Sequence, residues 1–256
     1  VFGDGALGSQ TAWLPQPYEG RPGYCGIAIH TPQELREIIG EATRHNLAVA
    51  LHAIGDRTNR EALDAFEASW PESRARGLRH RIEHAQFIHP DDIPRFAALE
   101  VIASAQPSHA PSDRYLADRH WGSRARYAYP FRSLKRSGAR LAFGSDVPVE
   151  ALDPLKGMYA AVTRKREDEP ESQPWYPEES LTVQEAIHGF TLGAAYASGE
   201  ERSKGSLAPG KLADLVILDR DILTGPPEAL LEVSVEATVV GGRLVYRRDP
   251  AFPSTE

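Results

Sequence analysis

Three short apolar runs in the chain each end near a side chain that can bind a metal ion. AVALHAIGD contains His52, HRIEHAQ contains His84, and RLAFGSDVP contains Asp146. His52 and His84 are about one strand-plus-helix unit apart, and Asp146 follows about two such units later. Because the carboxyl ends of parallel strands meet at one edge of a sheet, we expect these side chains to converge. The spacing therefore predicts a β/α arrangement with a site at the mouth of a barrel.

The residue types in these runs match a catalytic metal site. Two imidazoles and a carboxylate, with coordination left open for water, are typical ligands of a catalytic zinc ion. The alternative interpretation is that His52 and His84 are hydrogen-bonded core histidines and that Asp146 caps the turn before Pro148. The position of all three residues after apolar runs, in one common register, favours the metal site.

Composition excludes several classes of protein. The 256-residue chain is 41% hydrophobic and 25% charged, which is typical of one large globular domain or of a domain with a small appendage. It has no apolar stretch near the roughly 20 residues of a membrane span, and its net charge of -7 argues against nucleic-acid binding. The single cysteine, Cys25, excludes an intrachain disulfide. Since no leader peptide is recognisable, we expect a cytoplasmic protein.

Strands and helices are predicted to alternate over most of the chain, which favours parallel strands with both faces covered. VFGDGALGS is interpreted as the tail of a strand, so we expect an amino-terminal part of the protein to precede Val1. PSHAPSD is predicted to be a loop, and EDEPESQPWYPEES is either a surface loop or a lid. Strands are predicted near residues 47–53, 80–85, 101–106 and 140–145, and helices near 32–45, 58–69, 92–99, 130–137 and 154–166, with a last helix from the capping box of Thr182 and Glu185 to about 198.

The pattern changes from Gly205 onwards. LADLVIL predicts one strand, and VEATVVGGRLVYRR predicts two strands joined by a two-residue turn at Gly241 and Gly242. We therefore expect two domains, a β/α part over residues 1–200 and a small all-β part over residues 201–256.

Six segments spread over the whole chain form a recognisable series. They are DGALGSQTAW (4–13), HAIGDR (52–57), IEHAQ (82–86), QPSHAPSD (106–113), FGSDVPVEALDPL (143–155) and GSLAPGKLADLVILD (205–219). Any one of them alone would be a weak match, whereas six in order are specific, and together they resemble the metal-dependent amidohydrolase superfamily, more narrowly its amidohydrolase 3 (YtcJ-like) branch. The resemblance implies an α/β fold in which the chain supplies about strands 4 to 8 of a (β/α)8 TIM barrel, followed by a small β-sandwich element.

The resemblance also implies a role for each residue of the opening trio. His52 resembles the metal ligand of the family's fifth strand and His84 that of the sixth. Asp146 resembles the eighth-strand aspartate that binds metal and transfers the proton. The family's first-strand HxH pair has no counterpart in the chain, and the lysine that bridges two metals in many relatives would precede Val1. The cofactor implied is a divalent metal, zinc first, as one or two ions.

The function that this resemblance implies is hydrolysis of a non-peptide carbon–nitrogen bond, in an amide, formamide or cyclic amide, by a metal-activated water. Asp146 would accept the proton of the water and pass it to the leaving nitrogen. The alternatives are a metal-dependent phosphoester or lactone hydrolase on the same barrel, or a non-catalytic fragment that needs its amino-terminal half. The expected partner is a small-molecule substrate. The oligomeric state is left open, a homo-oligomer included.

Three further residues are candidates for binding the substrate. His109 follows the strand between His84 and Asp146, so it can contact the substrate or stabilise an oxyanion, and Asp113 can orient it. The alternative is that His109 and Asp113 form a loop-stabilising pair. Arg57 can anchor an acidic group of the substrate, although a salt bridge at the start of a helix is the stronger interpretation.

Overall fold

A parallel sheet is the centre of the fold. The computed structural model describes residues 1–249, and within them this sheet has four strands in the order β1-β2-β3-β4, each parallel to its neighbour. The amino-terminal segment lies beside β1, where Phe2 forms a parallel bridge with His52. The α/β class and the parallel strands predicted from the sequence are confirmed. The strands are β1 (Ala50–Ala53), β2 (Arg81–His84), β3 (Ile102–Ala105) and β4 (Leu141–Phe143).

Helices cover the parallel sheet, and several of them begin at the caps that the sequence contains. Thr31 with Glu34 and Thr182 with Glu185 both form capping boxes, in which each side chain satisfies a backbone N–H of the first turn. A π-helix over Gly189–Gly193 joins the last two helices. The helices are α1 (Pro32–Arg44), α2 (Asp56–Ala75), α3 (Ile93–Ala98), α4 (His109–Trp121), α5 (Phe131–Arg136), α6 (Pro154–Thr163), α7 (Val183–His188) and α8 (Ala194–Ala197).

One predicted loop is a helix. The segment PSHAPSD was expected to be irregular, but α4 begins inside it at His109. Pro111 is tolerated because it stands in the first turn, where a backbone N–H has no partner within the helix. Ala110, Ala117 and Trp121 give α4 its buried side. The turn-forming residues at the start of the segment concealed this helix from sequence analysis.

The core lies between the parallel sheet and the helices. Leu51 of β1, Ile82 of β2 and Ile102 of β3 are fully buried, whereas the neighbours of Leu51 and Ile82 on the other face of the sheet, such as His52 and Glu83, are only partly buried. Phe66 of α2 and Trp121 of α4 are among the largest buried side chains. This packing fixes the carboxyl ends of the strands, where the candidate metal ligands lie.

A second sheet follows the α/β part. Within the described residues it has three antiparallel strands, β5 (Leu215–Leu218), β6 (Val235–Val240) and β7 (Arg243–Arg247). Gly241 and Gly242, with φ of 56° and 78°, form the predicted turn between β6 and β7. A 3-10 helix over Pro227–Glu232 links β5 to β6 and places Leu230 in the main core. Residues 250–256 of the predicted all-β part lie outside the described residues.

Among residues 1–249, no helix has both the length and the apolar character needed to cross a membrane.

Candidate metal centre

Three side chains meet at the carboxyl edge of the parallel sheet. His84 is the last residue of β2, His109 is the first residue of α4 after β3, and Asp146 follows β4. Their candidate ligand atoms all lie within 4.8 Å of one another. The sequence analysis predicted the convergence of His52, His84 and Asp146, and it expected His109 on the same rim as a substrate contact.

The His84 imidazole is held in a form that can bind a metal. Its Nδ1 lies 2.9 Å from the amide oxygen Oε1 of Gln106, which can only accept, so Nδ1 carries the hydrogen and Nε2 keeps a free lone pair. Burial first, and then the imidazoles of His52 and His109, lower the pKa of His84 to about 4. His84 is therefore neutral near pH 7, as a metal ligand must be.

His109 contributes a buried nitrogen to the same space. Its ring is stacked on that of His84, with 5.9 Å between centroids and 15° between planes. Its Nε2 lies 3.9 Å from Oδ2 of Asp146. Within the described part of the chain, this buried Nε2 has no hydrogen-bond partner. A buried polar atom left unsatisfied costs about 1–3 kcal/mol, so a ligand at this position would stabilise the site.

The backbone is strained at two of the three residues. His84 has φ of 71° and Asp146 has φ of 59°, both in the left-handed region that side-chain-bearing residues rarely adopt. Such positions cost about 1–3 kcal/mol and are concentrated at functional sites. Both residues stand at the carboxyl edge of the parallel sheet, where the candidate ligands meet.

His52 lies beside this cluster but points elsewhere. Its ring meets His84 edge-on, with 4.6 Å between centroids. Its Nε2 lies 3.0 Å from the carbonyl oxygen of Gly5, to which it donates, and 3.7 Å from Oδ1 of Asp4. The structure thus brings His52 next to His84 while its Nε2 is engaged. Its predicted role as a metal ligand stays a prediction.

Asp4 is a site residue that sequence reasoning missed. The side chain is buried and accepts hydrogen bonds from the backbone N–H groups of Trp13, Ile54 and Gly55 and from the hydroxyl of Thr58. Burial raises the pKa of Asp4, and these hydrogen bonds oppose that rise. Asp4 therefore fixes the loop after β1 next to His52. Its position in the DGALGS segment indicated only a glycine-rich turn.

Asp113 forms hydrogen bonds that connect α4 to the loop after His84. It lies one turn after His109 on α4, and its Oδ2 accepts from Gln86 at 3.0 Å and from the Tyr129 hydroxyl at 2.5 Å. Burial raises the pKa of Asp113, and the hydrogen bond from Tyr129 is the largest effect opposing it. Since Gln86 stands two residues after His84, these contacts join α4 to the His84 loop. Asp113 was expected to orient His109, and its role towards substrate stays a prediction.

Gln86 and Gln106 are further residues that sequence reasoning did not single out. Both stand close to a candidate ligand, in the segments IEHAQ and QPSHAPSD. That proximity was the only sign in the sequence of their role beside the ligands.

Arg57 makes the contacts expected of the alternative interpretation, a salt bridge at the start of a helix. It lies in the first turn of α2, where it forms an ion pair of 2.6 Å with Glu61. Its guanidinium lies 5.2 Å from the ring centroid of Trp13. These contacts are those of a helix-start salt bridge, and a role of Arg57 in binding substrate stays a prediction.

A cavity of about 100 Å³ adjoins the start of α4. Ser108 and Ser112 line it on the α4 side, and Glu150 lines it from the loop that follows Asp146. Lys165 and Arg166, just before the polar proline-rich stretch, close it on the other side. The cavity is therefore a polar space beside the first turn of α4, and its lining includes neither His84 nor His109 nor Asp146.

The donor set fits a divalent transition metal. Two neutral imidazoles and one carboxylate are the usual protein ligands of a catalytic zinc ion, and they leave one position open. The buried Nε2 of His109 lacks a partner within the described residues, and a metal ion would provide one.

Comparisons with known proteins find similar sequences over nearly the whole chain. A family model described as "Amidohydrolase family" matches residues 1–246. The chain is 34% identical over 249 residues to "Putative amidohydrolase YtcJ" of Bacillus subtilis, covering 97% of this chain and 46% of that protein. It is 29% identical over 250 residues to "N-substituted formamide deformylase" of Arthrobacter pascens, covering 97% of this chain and 45% of that protein.

A solved structure is also similar. It is an uncharacterised metal-dependent hydrolase from Pyrococcus horikoshii, 35% identical, with a TM-score of 0.76 over 88% of this chain and 45% of that one. The chain thus spans less than half the length of the relatives that it matches here.

Proposed function

This chain belongs to the amidohydrolase family, and we propose that it forms part of a metal-dependent hydrolase that cleaves a non-peptide carbon–nitrogen bond. The bond would belong to an amide, a formamide or a cyclic amide in a small-molecule substrate. The relative named as an N-substituted formamide deformylase supports this bond type. No contact in the described residues favours the phosphoester or lactone alternative.

The convergence of His84, His109 and Asp146 at the carboxyl edge of the sheet carries the proposal. His84 and Asp146 would hold a divalent metal, zinc first, as one ion or as one of two, together with a second imidazole from His52 or His109. The bound metal would supply Lewis acidity, which polarises a substrate carbonyl and lowers the pKa of water towards neutrality.

Asp146 is the residue that we assign to proton transfer. Its carboxylate can accept a proton as water attacks the substrate carbonyl. It can then deliver that proton to the leaving nitrogen, which is necessary because an unprotonated amine is a poor leaving group. The Asp146 side chain is 40% exposed, so substrate can reach it.

The surrounding fold suits this chemistry. We propose that β1–β4 are part of an eight-stranded barrel within residues 1–200 and that β5–β7 belong to a β-sandwich domain over residues 201–256. We propose His109, Asp113 and Arg57 as the residues that contact the substrate. We also propose a cytoplasmic location, on the evidence of the single cysteine, Cys25.

Hydrolysis assays on the full-length protein test the function. The panel contains N-substituted formamides, N-acyl amines and cyclic amides, with lactones and phosphoesters as controls, and the measured quantity is product release. We expect turnover of a carbon–nitrogen substrate that is lost on metal chelation and restored by zinc. Turnover that chelation leaves unchanged would contradict the metal-dependent mechanism. Turnover of lactones or phosphoesters alone would contradict the proposed bond type.

A further inference from the structure

The geometry points to Arg164 as a positioning residue of the candidate metal centre. Its buried side chain joins the base of a surface segment, residues 165–174, to Tyr129. We call this segment the strap. Tyr129 in turn binds Asp113, which connects with the loop after His84. The inference rests on the proposed function only in its assumption that a divalent metal binds at His84, whatever the other ligands are.

The first argument is the burial of Arg164. Its side chain is 0% exposed, and its Nη2 has no hydrogen-bond partner among residues 1–249. Burial lowers the pKa of Arg164 to about 10, against the charge of Glu179, so the guanidinium is still charged near pH 7. The Glu179 carboxylate accepts from Ser133. An apolar side chain would avoid the cost of a buried charge, which favours a role for the guanidinium itself.

The second argument is the contact of Arg164 with the strap. Its Nε donates to the carbonyl oxygen of Trp175 at 2.9 Å, and the N–H of Trp175 donates to the carbonyl oxygen of Arg164 at 3.0 Å. These two bonds close the base of the strap. The indole of Trp175 donates to Asp118 of α4 at 3.1 Å, and Arg114 of α4 binds Glu169 of the strap at 3.0 Å. The strap is therefore tied to α4 at its middle and at its base.

The third argument is the contact of Arg164 with the site. Its Nη1 donates to the carbonyl oxygen of Tyr129 at 3.2 Å. The Tyr129 hydroxyl donates to Asp113 at 2.5 Å, and the Tyr129 N–H donates to the carbonyl oxygen of Gln86 at 2.6 Å. The Gln86 side chain also donates to Asp113, two residues after His84. A shift of Tyr129 would therefore reach the loop that carries His84 through two contacts.

The fourth argument is backbone strain at both ends of the bond between Arg164 and Tyr129. Arg164 has φ of 58° and Tyr129 has φ of 53°, in the left-handed region that side-chain-bearing residues rarely adopt. Such conformations persist only where the surrounding contacts hold them. Loss of the guanidinium contact should therefore let the Tyr129 backbone relax and displace its hydroxyl from Asp113.

A double-mutant cycle on cobalt affinity tests this connection. Arg164→Lys keeps the charge but cannot span two carbonyl oxygens, and Tyr129→Phe removes the hydroxyl that binds Asp113. Each variant of the full-length protein is stripped of metal and titrated with Co²⁺. We expect each single substitution to weaken binding by about 10-fold, as outer partners of metal ligands do. The double variant should lose no more than the more affected single variant, because both substitutions act through the same hydroxyl.

Two results of the cycle would overturn the inference. One is unchanged Co²⁺ affinity in either single variant. The other is a double variant in which the two losses multiply, since Arg164 and Tyr129 would then act independently.

The visible spectrum of the saturated Co²⁺ protein separates positioning from stability. Arg132→Lys is the matched control, because Arg132 also binds a backbone carbonyl, that of Ser180, and pairs with Glu185 of α7. We expect shifted bands in Arg164→Lys and Tyr129→Phe and an unshifted spectrum in Arg132→Lys. A substitution that only destabilises the fold leaves the ligand geometry of the folded protein unchanged. Equal shifts in Arg132→Lys and Arg164→Lys would show general loosening and contradict the positioning role.

Hydrogen exchange of the metal-free protein gives the direction of the connection. We expect faster exchange in the strap and at the Tyr129 amide of Arg164→Lys, whereas Tyr129→Phe leaves the strap unaltered. Unchanged exchange of the strap in Arg164→Lys would contradict the place of Arg164 at its base. Far-ultraviolet circular dichroism identifies misfolding, and Arg164→Gln replaces Arg164→Lys if the latter does not fold.

The same variants distinguish this inference from the proposed function. A shifted Co²⁺ spectrum in Arg164→Lys, in a protein that hydrolyses no amide, would overturn the proposed function and leave the inference standing. Chelation-sensitive amide hydrolysis, with identical Co²⁺ spectra in Arg164→Lys and the unsubstituted protein, would overturn the inference alone.

Discussion

The two sheets of this protein are stabilised in different ways. In the parallel sheet, Leu51 and Ile82 are 0% exposed and belong to the main core. In the antiparallel sheet, Val216 is 56% exposed and Val245 is 60% exposed. Leu230, in the connection between β5 and β6, joins the main core. Apolar burial therefore stabilises β1–β4, whereas β5–β7 depend more on their hydrogen-bond ladder and turns.

The difference in burial between the two sheets also bears on where the candidate metal ligands are held. The candidate ligands His84, His109 and Asp146 all stand at the ends of buried strands or at the start of a helix packed on them. A rigid support of this kind keeps side chains within the narrow tolerance that metal binding needs. The exposed antiparallel sheet offers no comparable support, so we expect substitutions in the two regions to have unequal effects.

The largest expected difference concerns catalysis. Asp146→Asn should lower kcat for the carbon–nitrogen substrate by about 10²–10⁴-fold, because the amide cannot accept the proton. Asp221→Asn, at an exposed turn in the carboxyl-terminal region where the carboxylate accepts from the N–H of Leu223 at 2.7 Å, should leave kcat unchanged. Steady-state kinetics of the full-length variants measure both. Equal losses in the two variants would show that Asp146 has no special part in proton transfer.

The second difference concerns stability, and two isoleucines provide a matched pair. Ile82→Ala removes a fully buried side chain of β2 and should lower the free energy of unfolding by about 2–5 kcal/mol. Ile217 in β5 is 37% exposed, and Ile217→Ala should cost about 1 kcal/mol or less. Equilibrium denaturation of the intact protein measures both values. A cost for Ile217→Ala as large as that for Ile82→Ala would mean that the antiparallel sheet is buried against another surface.

The regular part of the fold could be predicted from local sequence patterns. The apolar runs before His84 and Asp146 indicated strands, and the capping boxes at Thr31 and Thr182 indicated where helices begin. Both depend on residues that are close in sequence. The same is true of the turn at Gly241 and Gly242, where positive φ favours glycine. These predictions are confirmed because local and tertiary preferences agree there.

The details of the candidate site depend on contacts between distant residues, which local patterns do not contain. His52 was predicted as a ligand from its strand-end position, which could not show that its Nε2 meets the carbonyl of Gly5, 47 residues away. Asp4 reaches the backbone of the loop after β1 over a similar separation. The start of α4 at His109 was concealed by Pro111 and its polar neighbours. Sequence patterns thus placed residues near the site but did not determine which atoms face each other.

A third difference is the response to pH. His80 is buried against Phe66, accepts from the N–H of Val49 and donates to Ser73, and burial lowers its pKa to about 4 from an ordinary 6.5. The folded state therefore binds fewer protons than the unfolded state between these values. Stability present above pH 6.5 should be lost as the pH falls towards 4, by up to about 3 kcal/mol.

Denaturation curves of the intact protein between pH 4 and 7 test this effect. His80→Asn should be less stable at pH 7 but should show a flatter pH dependence, with His45→Asn as the exposed control. His84 titrates in the same range, so part of the dependence should remain. In the antiparallel region, a backbone hydrogen bond from Leu223 lowers the pKa of Asp221. The contribution of the Asp221 carboxylate to stability is therefore lost only on further acidification. An unchanged slope in His80→Asn would contradict the assignment.

The smallest expected difference concerns two glycines with the same backbone requirement. Gly242, in the β6–β7 turn, has φ of 78°, and Gly77, after α2, has φ of 66°, with open space around both. Alanine should cost about 1 kcal/mol at either position, because an L side chain is strained there. In the exposed hairpin this strain should speed local opening, since little burial opposes it. Amide hydrogen exchange should therefore accelerate in β6 and β7 of Gly242→Ala, while Gly77→Ala leaves those amides unchanged. Unaltered exchange in the hairpin of Gly242→Ala would show that contacts other than the turn hold the antiparallel sheet together.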